Sequence, residues 1–138
     1  MINWELIDPT KRRKRKGCDG CINFGTSNKG NPLYYMSFYE SGYDKLNNAK
    51  KISLGFNETR VYVTNKTTPK MFAVNQSGKS GNLSNKRVCE KVIEYLTNKA
   101  PDESEQTMVY IDLIRQKNDP DIFEIKIHEE TDKYGFII

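Results

Sequence analysis

The sequence is poor in histidine, in cysteine and in long apolar runs. It contains one histidine, His128, and three cysteines in 138 residues. No apolar run approaches the roughly 20 residues that a membrane-spanning helix needs. Apolar residues make up 36% of the chain, below the roughly 45–50% of an average globular protein. These shortages exclude a membrane-spanning protein, a disulfide scaffold and any mechanism that needs two histidines.

The first nine residues lack the apolar segment of a signal peptide. They read Met-Ile-Asn-Trp-Glu-Leu-Ile-Asp-Pro and include two acids. We therefore expect a cytoplasmic protein without a membrane partner. We interpret residues 1–9 as a short strand that docks on the core through Trp4.

No set of side chains supports a catalytic mechanism. Gly78-Lys79-Ser80 resembles the end of a phosphate-binding loop, but Ala73 stands where that loop requires a glycine. The single histidine gives no defensible Ser-His-Asp or Cys-His arrangement. We therefore predict that the protein is not an enzyme.

Charge is abundant and unevenly distributed. Lys and Arg number 22, and Asp and Glu number 18. Residues 33–100 hold 11 bases and five acids, whereas residues 101–138 hold four bases and ten acids. A run of six cations precedes both segments, and such a run can follow a phosphate backbone. The candidate nucleic-acid-binding residues are Lys11, Arg12, Arg13, Lys14, Arg15 and Lys16.

A single Cys-x-x-Cys motif follows the basic run. Cys18 and Cys21 have the spacing with which two thiolates share a zinc ion in a knuckle. A structural site needs four ligands, and Cys89 and His128 are the other cysteine and histidine. Zinc is the one cofactor that the sequence suggests; redox chemistry or incidental thiols are the alternatives.

Hydrophobic periodicity predicts an α+β fold of antiparallel hairpins with two helices. We predict strands at 33–39, 52–56, 59–64, 70–75, 108–114 and 122–127, with 59–64 and 108–114 each opening a hairpin. Helices are predicted over 43–49 and from an N-cap at Ser84 or Asn85 to the Asn98-Lys-Ala-Pro101 stop. A Gly/Ser loop is predicted at 76–82.

The same pattern suggests a domain organisation with an internal repeat. A flexible basic arm over 10–32 leads into an α+β domain over 33–128, and 129–138 form a tail. Strand or loop, helix and hairpin follow one another in 33–75 and again in 79–128. Two such units can close on each other as a pseudo-duplicated β-barrel or sandwich.

A resemblance accompanies the first unit. Ser37-Phe-Tyr-Glu-Ser-Gly42, Ile52-Ser-Leu-Gly55, Arg60-Val-Tyr-Val63 and Met71-Phe-Ala-Val74 resemble the strand–helix–hairpin unit of AbrB-type regulators and MazE-type antitoxins, the swapped-hairpin proteins. The layout is also similar to small uncharacterised proteins of phages and mobile elements, with a Trp near the start, a basic linker and a second, degenerate unit. The resemblance implies a DNA-binding regulator, although Tyr39 and Glu40 stand where that family has basic residues.

Two functions follow as hypotheses. The first is a small nucleic-acid-binding accessory or regulatory protein of a phage or mobile element, which uses its basic arm. The second is a protein–protein inhibitor whose target is a host defence or transcription machine, either a host protein or a nucleoprotein complex. Salt-dependent binding of nucleic acid separates the two.

Overall fold

A computed structural model describes residues 17–129, which form nine antiparallel strands and two helices. The strands make a nearly closed, barrel-like sheet, so the predicted α+β class is confirmed. No helix within the described residues is long and apolar enough to cross a membrane. The elements are β1 (Gly20–Thr26), β2 (Pro32–Phe38), α1 (Glu40–Lys45), β3 (Lys51–Asn57), β4 (Arg60–Thr64), β5 (Phe72–Ala73), β6 (Asn75–Ser77), β7 (Ser80–Ser84), α2 (Lys86–Thr97), β8 (Gln106–Arg115) and β9 (Ile122–Ile127).

The sheet contains one arrangement of elements twice. Its strand order is β5-β3-β4-β9-β8-β1-β2-β7-β6. In each half a hairpin leads through a helix into a second hairpin: β1–β2, α1 and β3–β4 in the first half, and β6–β7, α2 and β8–β9 in the second. The halves meet at three pairings: β1 with β8, β2 with β7 and β4 with β9. Each half begins one strand earlier than the predicted units 33–75 and 79–128. That these two halves are an internal repeat of the sequence stays a prediction.

The core fills the interior of the barrel. Apolar side chains from the inner face of the sheet are buried there, such as Ile22 and Phe24 of β1, and α2 covers them with Val92 and Ile93. The periodic apolar faces of the sequence predict that six residues are mostly buried, and five of them are: Val92, Val109, Ile111, Leu113 and Ile125. The sixth, Leu96, is only half-buried, because it lies on the last turn of α2.

Strand β1 corrects the prediction that residues 10–32 form an irregular arm. Gly20–Thr26 lies in the middle of the sheet, paired with β2 on one side and β8 on the other. The glycines of this segment reflect close packing rather than a loop: Gly25 has φ +114°, and a Cβ there would lie 1.7 Å from the Glu105 carbonyl oxygen. Residues 10–16 of the predicted arm, like the predicted strand over 1–9 and the tail beyond 129, lie outside the described residues.

The pairing of the middle strands also differs from the prediction. Residues 59–64 and 70–75 were expected to form a hairpin, but β4 pairs with β3 and β9, and β5 pairs with β3. Only Glu58 and Thr59 connect β3 to β4, and Glu58 adopts φ 56°. Such a tight turn closes a hairpin at less entropic cost than the longer segment between β4 and β5.

The predicted Gly/Ser loop at 76–82 is replaced by the hairpin of β6 and β7. Position 81 of β7 is a glycine because no side chain would fit there: a Cβ would lie 2.7 Å from the side chains of Tyr43 and Val74. Helix α1 ends earlier than the predicted 43–49, since Asn47 and Asn48 have φ 56° and 52°, in the left-handed region.

Helix α2 and the hairpin that follows it match the prediction closely. The Asn85 side chain accepts a hydrogen bond from the Val88 backbone N–H at 3.1 Å, which is an N-cap contact. Asn98 ends the helix in the left-handed conformation. Strands β8 and β9 pair as the predicted hairpin, with Leu113 opposite Ile125.

Candidate nucleic-acid-binding site

The six cations predicted to bind nucleic acid precede the described part of the chain. Lys11, Arg12, Arg13, Lys14, Arg15 and Lys16 lie outside residues 17–129. Their role stays a prediction, and the described residues carry the rest of the site.

The two cysteines of the Cys-x-x-Cys motif are buried. Cys21 lies in β1, opposite Ser37 of β2 and Tyr110 of β8, and Cys18 precedes the strand. Within residues 17–129, no group of three or more His, Cys, Asp or Glu side chains is arranged to hold a metal ion. Cys89 and His128, the other ligands weighed from the sequence, therefore do not complete a cluster with this pair.

Cys89 belongs to the core. It lies on the inner face of α2, and burial raises the pKa of its thiol to about 12. A thiol with such a pKa is neither a nucleophile nor a ready metal ligand at neutral pH.

A groove lies between α2 and the edge of the sheet formed by β3 and β5. It has a volume of about 890 Å³, and its apolar lining includes Leu54, Phe56, Phe72 and Tyr95. All four side chains are half-buried. Strand β5 pairs with β3 only at Lys51 and Ile52, so the edge of β3 beyond these residues has no paired strand among the described residues. The groove opens at that unpaired edge.

Helix α2 presents a mixed basic and aromatic stripe to this groove. Arg87, Lys91 and Tyr95 follow one another at intervals of four residues and therefore lie along one side of the helix. Glu90 and Glu94 form the neighbouring stripe and also line the groove. This spacing is visible in the sequence, but the apolar periodicity of the helix does not show which element the stripe faces.

The rings of the groove are in contact with each other and with a cation. The centroids of Phe56 and Tyr95 are 4.8 Å apart with an interplanar angle of 58°. The Lys91 ammonium lies 4.4 Å from the Phe56 centroid and 6.0 Å from that of Tyr95. An ammonium over a ring face is attracted by the negative charge of the π cloud.

Five cations at the starts of β3 and β5 and on α2, three of which line the groove, form what we call the basic edge. None of them has a carboxylate within 4 Å among the described residues. Its members are Lys50 and Lys51 at the start of β3, Lys70 before β5, and Arg87 and Lys91 on α2.

Several cations elsewhere are paired with acids. Lys66 lies 2.8 Å from Asp119, and Lys86 contacts Glu103. The hydrogen bond to Asp119 raises the pKa of Lys66, as the bond to Glu103 raises that of Lys86. Among the described residues, acids of the C-terminal segment thus pair with Lys66 and Lys86 but with no cation of the basic edge within 4 Å.

His128 has a structural role within the described residues. Its Nδ1 lies 2.7 Å from Asp112 Oδ2, and its backbone N–H donates to the Tyr110 carbonyl at 2.8 Å. Both contacts attach the chain after β9 to β8.

Comparisons of the chain with protein-family models, with curated proteins and with solved structures find no match. The functional inference therefore depends on the residues of this chain.

Proposed function

We propose that this protein is a small nucleic-acid-binding accessory or regulatory protein whose basic edge contacts phosphates. The observation that supports the proposal best is the separation of charge. Lys66 and Lys86 are held in ion pairs with acids of the C-terminal segment, whereas the cations of the basic edge have no carboxylate within 4 Å among the described residues. A polyanion can neutralise such cations without breaking an internal ion pair, and it gains entropy from the counterions that it releases.

The run from Lys11 to Lys16 adds six cations to the same molecule. Contacts from lysine and arginine to phosphates position a nucleic acid but do not read its sequence. We therefore expect binding that depends steeply on salt and weakly on sequence.

Fluorescence anisotropy with labelled single-stranded DNA, RNA and duplex DNA tests the proposal over a salt series. The test variant combines Lys50→Gln, Lys51→Gln and Lys70→Gln. The control combines Lys29→Gln, Lys117→Gln and Lys126→Gln, which remove the same charge from exposed positions outside the basic edge.

Each lost phosphate contact on a single strand lowers the log–log salt slope by about 0.7. The test variant should therefore flatten the slope by about two units, and the control should leave it nearly unchanged. Equal effects of the two triples would mean that net charge alone attracts the nucleic acid. Absence of binding to all three probes even at about 50 mM salt would refute the proposal and favour the protein–protein inhibitor.

A further inference from the structure

We propose that the groove between α2 and the β3–β5 edge binds an unpaired base of a single-stranded nucleic acid, stacked against Phe56 and Tyr95. This inference rests on the proposed function and adds the class of ligand, a single strand rather than a duplex. It concerns base stacking, whereas the proposed function concerns phosphate contacts.

The apolar lining suits a flat ligand. Leu54, Phe56, Phe72 and Tyr95 belong to three separate elements, and each leaves part of its side chain open to the groove. The volume of about 890 Å³ lies within the roughly 300–1,000 Å³ of small-molecule pockets. Stacking of a base on an aromatic side chain tolerates any sequence because every base has a π face.

The position of Lys91 links the rings to a phosphate. Its ammonium lies 4.4 Å from the Phe56 centroid, on the ring face that a base would cover. An incoming base displaces the ammonium from this face. The four-carbon side chain then lets the charge reach the phosphate of the same nucleotide, so that one interaction replaces another.

The charge of the groove favours an anion over a cation as ligand. Three cations line it, Lys70, Arg87 and Lys91, against the two acids Glu90 and Glu94. A cationic ligand attracted by the rings would meet Lys91 already in that place. A nucleotide of a single strand has both a flat face for the rings and a negative charge for the cations.

A duplex is the poorer ligand because its bases are paired and stacked on each other. A duplex base can reach Phe56 only after it flips out of the helix, which costs a few kcal/mol. An unpaired base avoids this cost, so the groove discriminates in favour of single strands.

The test compares a short labelled oligothymidylate with an abasic oligonucleotide of the same length and charge. The groove variant combines Phe56→Leu with Tyr95→Leu. The control is Tyr62→Leu on β4, whose side chain lies on the opposite face of the strand from the buried Val61 and Val63. Far-ultraviolet circular dichroism and thermal unfolding establish that each variant folds.

The unchanged protein should bind the oligothymidylate at least about fivefold more tightly than the abasic strand. The groove variant should lose this preference and keep its salt slope, since its cations remain. The control should keep both. Equal affinity of the unchanged protein for the two oligonucleotides would overturn the inference and leave the phosphate contacts of the proposed function intact. If neither oligonucleotide binds, the inference is overturned, and the anisotropy series with RNA and duplex DNA decides whether the proposed function fails as well.

Photo-crosslinking gives a second readout that does not require a substitution. An oligonucleotide with 5-iodouracil forms adducts with aromatic side chains on which its bases stack, and digestion with mass spectrometry locates them. Adducts on Phe56 or Tyr95 are expected. Adducts confined to tyrosines outside the groove would overturn the inference.

Discussion

Replacement of Asp19 tests whether one buried carboxylate joins the two halves of the barrel. Asp19 precedes β1 and is only 3% exposed. Its Oδ2 accepts hydrogen bonds from the Lys45 ammonium at 2.7 Å and from the Leu113 backbone N–H at 2.8 Å. Its Oδ1 accepts one from the Ser41 hydroxyl at 2.8 Å. The donors belong to α1 and β8, which lie in different halves.

The pKa of Asp19 reflects two opposing effects. Burial by itself raises the pKa, but the hydrogen bonds from Lys45, Leu113 and Ser41 together outweigh burial and hold the pKa below the ordinary 3.8. The folded state therefore favours the ionised carboxylate. This contribution to stability is complete above the pKa of the unfolded chain, and it is lost as the pH falls through the lower pKa of the folded state.

Two substitutions separate the hydrogen bonds from the charge. Asp19→Ala removes the acceptor of a buried N–H and the partner of Lys45, and breaking a buried pair costs about 3–5 kcal/mol. We expect about 3 kcal/mol, because the Lys45 side chain is 39% exposed and water can hydrate it again. Asp19→Asn can keep all three hydrogen bonds if its amide nitrogen donates to Ser41. It should lose about 1–2 kcal/mol, the difference between charged and neutral bonds.

Urea unfolding of both variants at about pH 7 and about pH 2.5 measures these free energies. Asp44→Ala, at an exposed position of α1, is the control and should cost at most about 0.5 kcal/mol. The difference between the unchanged protein and Asp19→Asn should shrink at the lower pH, which lies below the ordinary pKa of 3.8, because the stability contributed by the ionised carboxylate declines there and an amide does not titrate. The reasoning is refuted if Asp19→Ala costs no more than the control, or if that difference is the same at both pH values.

Three further predictions concern the core, a thiol and the basic run. Ile93→Ala should lower the free energy of unfolding in urea by about 2–5 kcal/mol, because Ile93 is 1% exposed. Leu96→Ala should lower it clearly less, because Leu96 is half-buried. Equal costs of the two substitutions would contradict this prediction. The Cys89 thiol should not react with iodoacetamide at about pH 8 until the protein unfolds, since burial raises its pKa to about 12. Rapid labelling of Cys89 in the native protein, detected by peptide mass spectrometry, would contradict its burial in the core. Replacement of residues 11–16 by Ser or Gln should flatten the salt slope on duplex DNA by up to about five units and hardly change the free energy of unfolding. Unaltered binding would mean that these residues do not contact the nucleic acid.

Elements with long, regular apolar patterns could be predicted from the sequence. Helix α2 repeats its apolar residues over three turns between an N-cap, Asn85, and a left-handed stop, Asn98. Strand β8 alternates in its inner half, where Val109, Ile111 and Leu113 are buried. In both elements local propensity and burial favour the same structure, so the periodicity of the apolar residues was enough to predict them.

Strand β1 could not be predicted from the sequence, because its composition is typical of a loop although it lies in the middle of the sheet. Gly20 and Gly25 are typical of loops, yet both lie against neighbouring backbone in the sheet. Asn23 is fully buried in the same strand, where a polar side chain is not expected. Its side-chain oxygen lies 3.4 Å from the Gln106 amide nitrogen, a contact over 83 residues that no local pattern contains.

The groove could not be predicted from the sequence for a different reason. Leu54 and Phe56 continue the alternation begun by Ile52, and such a pattern ordinarily indicates burial. Whether a side chain on the inner face is covered depends on the neighbouring strand, and β5 ends its pairing at Ile52. The composition of α2 was visible in the sequence, but its position against that edge was not.

The candidate site follows from a difference between the two halves of the barrel. In one place a strand of seven residues, β1, pairs along both β8 and β2 and joins them in one sheet. At the corresponding place between β3 and β7, the chain provides only β5 and β6, of two and three residues. Strand β5 pairs with only two residues of β3, and β6 pairs with β7, so neither continues the sheet along the rest of β3. The inner face at Leu54 and Phe56 therefore meets the flank of α2 across an open groove instead of a paired strand. Helix α2 has twelve residues where α1 has six, so it extends along this gap and brings Arg87, Lys91 and Tyr95 to it. A pair of identical halves would have closed both places alike, and the aromatic rings with their neighbouring cations would then have no opening from which to bind a ligand.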